Sequence, residues 1–374
     1  MHDVVIVGGG PVGMFLGILL ARRGLDTVVL EQRSQRSGHS RAIGIHPPAL
    51  EVLDEAGTAA ELVAAGLPIR RGIARSCGAD VAALSFSGVS QRFPYVLTVP
   101  QSVTERILAR QLQAAAPEAL RTGMRVRQVH DDGGGVAVRA EDGTVYRSRL
   151  AVAADGARSP IRTDLGIKVA ARRYPDCYLM GDFPDGTADA GLGVLYLEPD
   201  GIVESFPLPG GLRRWVVRTS ALVPAPSAAQ LAGMVRERTG VVLDAGGNSM
   251  LSAFDVRSTL ARRLVCGRIV LAGDAAHEIS PIGGQGMNLG WLDAAELAPL
   301  IAAGLRGEPV ARRLRCFERS RRRAARVAAA QAHLNMALGR PLPPRVFALR
   351  TALIRTALGL PGAGQAVARR FTMS

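Results

Sequence analysis

The chain has 374 residues, 48% of them hydrophobic, and a formal net charge of +14. That length suffices for two domains, or for one large domain carrying an inserted sheet. No uninterrupted apolar run approaches the roughly 20 residues that cross a bilayer, and the first strand pattern starts too close to Met1 to leave room for a secretory leader, so a soluble, cytoplasmic protein is expected. Cys77, Cys177, Cys266 and Cys316 lie far apart with no CxxC pair, which argues against a disulfide framework and against a metal site. The positive charge is almost wholly arginine, with Lys168 the only lysine, and aromatic residues make up just 4% of the chain. Without aromatics interleaved among the arginines, a nucleic-acid partner is not expected. The charge instead suits an acidic or phenolate substrate and the phosphates of a nucleotide.

Residues 3–31, DVVIVGGGPVGMFLGILLARRGLDTVVLE, pass from a short apolar segment through a Gly-rich turn to an apolar helix pattern and a second apolar segment ending in an acid. This predicts a βαβ unit. Within GGGPVG, Gly8, Gly10 and Gly13 fit GxGxxG around Pro11 and Val12. The first glycine makes the tight turn, the second admits a pyrophosphate against bare backbone, and the third lets helix and strand pack closely. Phosphate charge then meets the helix N-terminus. Glu31 ends the second strand, where a carboxylate accepts hydrogen bonds from ribose hydroxyls, with Gln32 and Arg33 following it. The motif by itself leaves NAD and FAD both open.

Downstream, Arg33 and Arg41 lie in a polar loop within reach of a pyrophosphate, and a helix starts near Pro48. Residues 98–115 read as a strand end and a helix that Ser102 or Thr104 caps. Three strands follow from Met124 to Val152, separated by DDGGG and EDG turns. The segment AVAADGARSPIRTDLGI at 151–167 delivers Asp155 and Gly156 into a turn. Residues 174–220 alternate short strand patterns with turns at 184–186, 199–201 and 209–211, an antiparallel meander to which 76–97 contribute. Tyr196, Phe206 and Trp215 lie on it as candidates for lining a ring-shaped pocket, with sheet packing as the alternative. Residues 255–274 return to an apolar strand ending in AGD, and GGQGMN at 283–288 opens a helix. Helical character runs through Arg340, its ERSRRRAARV run reading as a solvated face, and 345–359 form a last amphipathic helix.

Three signatures thus stand in order: GGGPVG at 8–13, ADGARS at 154–159 and AGDAAHEISPIGGQGMNLGWLDA at 272–294. Together they resemble the single-component FAD-dependent aromatic hydroxylases, the p-hydroxybenzoate hydroxylase-like family, over about residues 1–335. The resemblance implies an α/β fold: a Rossmann-like FAD-binding domain (1–75, 98–167 and 253–300), an inserted antiparallel substrate sheet (76–97 and 168–252) and C-terminal helices (301–374). It implies that the first turn holds the ADP half of FAD and that Asp274, after Gly273, binds the ribityl side. Backbone N–H groups near Gly284, Gly286, Met287 and Asn288 then meet the pyrimidine edge, where flavin reduction places negative charge.

By the same resemblance, Pro281 presents its carbonyl near the reactive flavin edge. Arg41 contacts the pyrophosphate, Gln101 the ribityl and phosphate region, and Val126 the adenine, while Asp155 serves both FAD and NAD(P)H. His277 reads as structural. The implied reaction takes electrons from transiently bound NADPH or NADH, activates O2 as a flavin C4a-hydroperoxide and hydroxylates an aromatic small molecule of phenolic, polyketide or quinone type. Baeyer–Villiger or other flavin oxidation, and a non-catalytic flavoprotein, are the alternatives. Halogenation is disfavoured, because Lys168 lies outside any matching position. No catalytic base is identifiable, and the 345–359 helix offers weak contact with a membrane surface.

Overall fold

A computed structural model of the chain describes residues 1–35, 42–360 and 362–373. Arg41 lies outside the described residues. The first sheet runs Val265–Cys266, Ile269–Leu271, Val145–Ala153, His2–Val7, Thr27–Glu31 and Leu120–Thr122. From Ile269–Leu271 to Leu120–Thr122 every pairing is parallel. Val4, Val5 and Ile6 on its central strand are completely buried, the expected state of a strand covered on both faces. One cover is the helix Pro11–Ala21, whose residues Gly13 to Leu20 are all buried. Val136–Ala140 and Val126–Asp131 extend the sheet antiparallel beside Val145–Ala153, so the three strands expected between Met124 and Val152 are present.

The second sheet orders His277–Glu278, Met250–Ala261, Val169–Pro184, Leu212–Thr219, Val203–Leu208, Leu192–Tyr196, Arg71–Ser76 and Ala79–Ser85. It is antiparallel except where Leu192–Tyr196 pairs parallel with Arg71–Ser76. Three expectations change here. Arg71–Ser76 hydrogen-bonds into this sheet rather than with the nucleotide-binding segments, and so do residues 253–261, because the long strand Met250–Ala261 pairs along Val169–Pro184. Val96–Thr98 leaves the second sheet and joins Gly44–Ile45 and Leu67–Ile69 in a small third one.

The helix Gln101–Ala115 starts after Pro100 with no side-chain cap, so neither Ser102 nor Thr104 plays that role; Thr104 is buried instead. The helix Ala228–Thr239 was not anticipated, although Ser227 caps it by accepting from the Gln230 N–H and Gly240 ends it at φ 75°. After Gln285–Leu305 and Ala311–Leu338, Pro344–Gly359 is followed by one more helix, Ala363–Thr372.

The faces of the second sheet are used differently. Leu179, Phe183, Tyr196, Trp215 and Val217 pack beneath the helix Ala228–Thr239, joined by its Leu231 and Val235. Tyr178, Met180, Ile202, Val216 and Phe254 cluster on the other face with Ile282 and Met336. Trp215 is fully buried and stacks on Tyr196 at 5.9 Å, so both are sheet packing rather than pocket lining. Phe206 faces the opposite way and packs near Phe86 and Phe371.

Candidate functional site

The three glycine-bearing turns meet in space. Gly8 holds φ +111°, and a Cβ there would fall 2.1 Å from the Ala154 carbonyl oxygen. A Cβ on Gly13 would fall 2.0 Å from the Gly8 oxygen, whereas one on Gly10 would meet nothing within 4 Å. The first and third glycines are therefore required by protein packing, and the second faces open space. Beyond it, the helix Pro11–Ala21 has no side-chain cap on its N-terminal turn, which leaves backbone N–H groups aimed outward.

The third motif docks directly on the first. Gly273, at φ +61°, would place a Cβ 3.2 Å from a Val12 methyl, and Gly290 would place one 2.4 Å from the same methyl. The Trp291 indole N–H donates to the Pro11 carbonyl at 3.1 Å. Arg162 ties in the second motif by donating to the carbonyls of Ala275 at 3.0 Å and Ala157 at 2.9 Å. Sequence reasoning did not foresee Val12, Gly290, Trp291 and Arg162 as joints. The only sequence signal was their proximity to the motifs.

Glu31 is buried at the end of its strand and accepts the Gly9 N–H at 2.8 Å on one oxygen. Its other oxygen accepts the Arg33 backbone N–H at 2.9 Å and the Arg33 Nε at 2.8 Å. That hydrogen bond raises the Arg33 guanidinium. Arg33 is thus committed to Glu31 in this structure, while Gln32 is exposed. Gln101 donates to Glu105 at 2.8 Å from the start of its helix. Val126 begins its strand half-buried, near the Glu31 carbonyl that accepts the Met124 N–H. Asp155 leaves Oδ1 buried without a partner, and burial raises its carboxyl. Gly156 beside it holds φ +86° with open space around it.

Asp274 is accessible to solvent, yet protein surrounds it so closely that desolvation lifts its carboxyl to about 6. Next, Pro281 accepts the Gly284 N–H at 2.9 Å, and Gly283 and Gly284 hold φ +95° and +66°. This left-handed pair starts the helix Gln285–Leu305, which has no side-chain cap, so the N–H groups at the start of its first turn, through Gly286 and Met287, have no partner within the helix. The Asn288 side chain is occupied elsewhere: it accepts the His46 N–H at 2.8 Å and donates to Gly44 at 3.0 Å and Gly284 at 2.6 Å. It latches residues 44–46 to the turn.

His277 sits in a buried ion-pair network. Its Nε2 contacts Asp293, which also pairs with Arg321, all three being buried. Burial opposes charge on the imidazole, but the neighbouring Asp293 carboxylate overrides this and raises it. Burial likewise opposes ionisation of Asp293, and His277 and Arg321 hold it below the usual range. Arg321 belongs to the arginine run expected to face solvent; the run is otherwise mostly outward, and this one residue turns inward to Asp293 and Glu296.

Two glycine turns about 260 residues apart in the chain, each opening on a helix without a side-chain cap and joined through Val12, make the arrangement of a nucleotide-binding fold. The chain belongs to the FAD binding domain family, which matches residues 1–332. It is 32% identical over 317 residues to rifampicin monooxygenase of Streptomyces venezuelae, covering 82% of this chain and 65% of that protein. It is 32% identical over 347 residues to anhydrotetracycline monooxygenase of Streptomyces rimosus, covering 86% and 66%. The chain thus spans slightly less than two thirds of these relatives. Among solved structures, the OxyS anhydrotetracycline hydroxylase from Streptomyces rimosus superposes with TM-score 0.82 at 29% identity, over all of this chain and 76% of that one. The Diels-Alderase PyrE3 of pyrroindomycin biosynthesis superposes with TM-score 0.84 at 28% identity, over all of this chain and 80% of that one. No helix among the described residues is long and apolar enough to cross a membrane.

Proposed function

We propose that the protein is an FAD-dependent monooxygenase that hydroxylates an aromatic small molecule with NAD(P)H and O2. The observation that carries this reading is the docking of the 273–288 turn on the 8–13 turn through Val12, because one elongated cofactor with a charged middle and two polar ends needs both. The open space at Gly10 suits the pyrophosphate, Glu31 the adenosine ribose, Gln101 and Asp274 the ribityl chain, and the N–H groups from Gly286 to Asn288 the pyrimidine edge. Val126 is assigned to the adenine and Asp155 to the cofactor side shared with NAD(P)H. Bound there, FAD supplies hydride acceptance and oxygen activation. The protein holds its ends, offsets charge with two helix N-termini and presents the Pro281 peptide beside the second sheet, where Ile282 already packs.

NAD(P)H consumption tested against phenols, naphthols and hydroxyquinones decides the reading. Oxidation that rises with one of them and yields an oxygenated product supports hydroxylation. Flavin binding without such stimulation favours a chemistry like that named for PyrE3, and a ring-expanded product favours Baeyer–Villiger oxidation. Weak docking on an anionic membrane surface by the helix Pro344–Gly359, which exposes Val346, Leu349 and Leu353, is a subsidiary proposal that vesicle flotation decides.

Asp274 gives a pH test. A ribityl hydroxyl donates better to a carboxylate than to a carboxylic acid, so FAD affinity should fall as pH drops through about 6. Fluorescence titration of FAD between about pH 7.5 and 5 should show this slope, and Asp274→Asn should flatten it. An unchanged slope in the variant removes Asp274 from the ribityl site.

A further inference from the structure

Glu204 lies in the middle of the sheet face that Ile282 packs against. Its register partners are Leu195 on one side and Val216 on the other, and the pleat places Ile202 and Phe206 above and below it on the same face. Leu195, Ile202 and Val216 belong to the cluster that includes Ile282. Phe206 belongs to a second cluster with Phe86 and Phe371. Glu204 therefore stands at the junction of two apolar clusters. The Phe371 ring stacks on His46 at 5.5 Å and Phe86 at 6.1 Å, and its carbonyl accepts from Gln285 in the helix of the GGQG turn at 3.3 Å. Both clusters thus border the turn expected to hold the flavin edge.

The side chain is only 7% exposed, and no hydrogen bond or ion pair reaches it among the described residues. Desolvation alone raises its carboxyl to about 7. The surrounding charges are engaged elsewhere: Arg214 with Asp182, Arg218 and Arg340 with Asp176, and Glu198 with the Cys77 N–H. Arg238, on the helix behind the sheet, donates to the Arg218 carbonyl. Arg350 donates to the Leu338 carbonyl through Nη1, while its Nε and Nη2 are buried without a partner. On the same face the Tyr178 hydroxyl is buried without a partner. A carboxyl with only slight solvent access, set beside a buried unpartnered phenol on a wall of aliphatic and aromatic side chains, is costly to ionise unless a ligand completes it.

We propose that Glu204 is a catalytic residue that accepts a hydroxyl group of the aromatic substrate and takes its proton, which makes the substrate a hydroxylated ring. The O–H bond breaks, the proton passes to the carboxylate, and the electron pair stays on the ring oxygen, enriching its ortho and para carbons. This inference rests on the hydroxylase reading above.

The test uses the FAD-loaded full chain with phenol, naphthol and hydroxynaphthoquinone and the O-methyl ether of each. Wild type should be stimulated by the hydroxylated member of a pair and not by its ether. Glu204→Gln, with flavin content and melting temperature unchanged, should lose about a hundredfold in kcat/KM below the substrate's own pKa. The loss should shrink above that pKa, where the substrate arrives ionised, and Glu204→Asp should recover part of the rate. Equal stimulation of wild type by phenol and ether, or a Glu204→Gln enzyme within twofold of wild type at every pH, overturns the role of Glu204 while leaving the hydroxylase reading intact. If nothing in the panel stimulates wild type, the hydroxylase reading fails and this role falls with it.

Discussion

Gly10→Ala should leave the free protein's melting temperature unchanged and weaken FAD binding, whereas Gly13→Ala should damage both. Gly10 has ordinary backbone geometry, φ −74° and ψ −179°, and a Cβ there meets no protein atom within 4 Å. The added methyl meets no protein atom and stands where the proposed cofactor site places the pyrophosphate. At Gly13 the same methyl would sit 2.0 Å from the Gly8 oxygen. The helix must then move away from the strand, an overpacking that costs about 1–3 kcal/mol. Because that helix carries the N–H groups proposed to meet the phosphates, FAD affinity should fall by about 10–100-fold as well. Thermal melting with and without FAD, together with flavin titration, checks both variants. An unimpaired affinity in Gly10→Ala would mean that the cofactor does not pass this turn.

The second large effect is expected at Asp293. Asp293→Ala removes the counter-charge from buried His277 and Arg321, and breaking such a buried network costs about 3–5 kcal/mol. The pH dependence separates this from a simple packing loss. The depressed folded-state value of Asp293 contributes stability that is complete above its unfolded value of about 3.9 and is lost as pH falls through the folded one. His277 is raised in the fold, so its contribution is complete below about 6.5 and is lost as pH rises through the folded value. Wild-type melting temperature should therefore peak between those limits, and in Asp293→Ala the decline on the alkaline side should vanish. The helix Gln285–Leu305 carries both Asp293 and the first-turn N–H groups, so flavin should be lost along with stability. A variant that melts like wild type at every pH would show the network to be dispensable.

The first βαβ unit was legible because hydrophobic period, glycine spacing and terminal acid all agree over a few residues, and each of those signals is local. The joining of the turns was not. Val12 meets Gly273 and Gly290, and Arg162 reaches Ala275, through contacts fixed by parallel strand order rather than by neighbouring sequence. Arg321 misleads for the same reason: an arginine amid arginines on a helix reads as solvated until Asp293, on another helix, is placed beside it. In the second sheet, turns were readable from PDG and PGG, but register was not, since a one-residue slip exchanges the faces. The sequence therefore offered Tyr196, Phe206 and Trp215 as equals, and only the observed pairing turns Phe206 toward the GGQG side and the other two toward Ala228–Thr239. Glu204, between Val203 and Ser205, reads as the exposed half of an alternating strand, and helices from the far end of the chain cover that face instead.

The most direct test of the central claim is to supply isotopically heavy oxygen gas to the FAD-loaded protein with NAD(P)H and whichever aromatic compound stimulates oxidation. A monooxygenase places one heavy atom in each product molecule. A product formed without heavy oxygen, or containing oxygen from water only, would contradict the account.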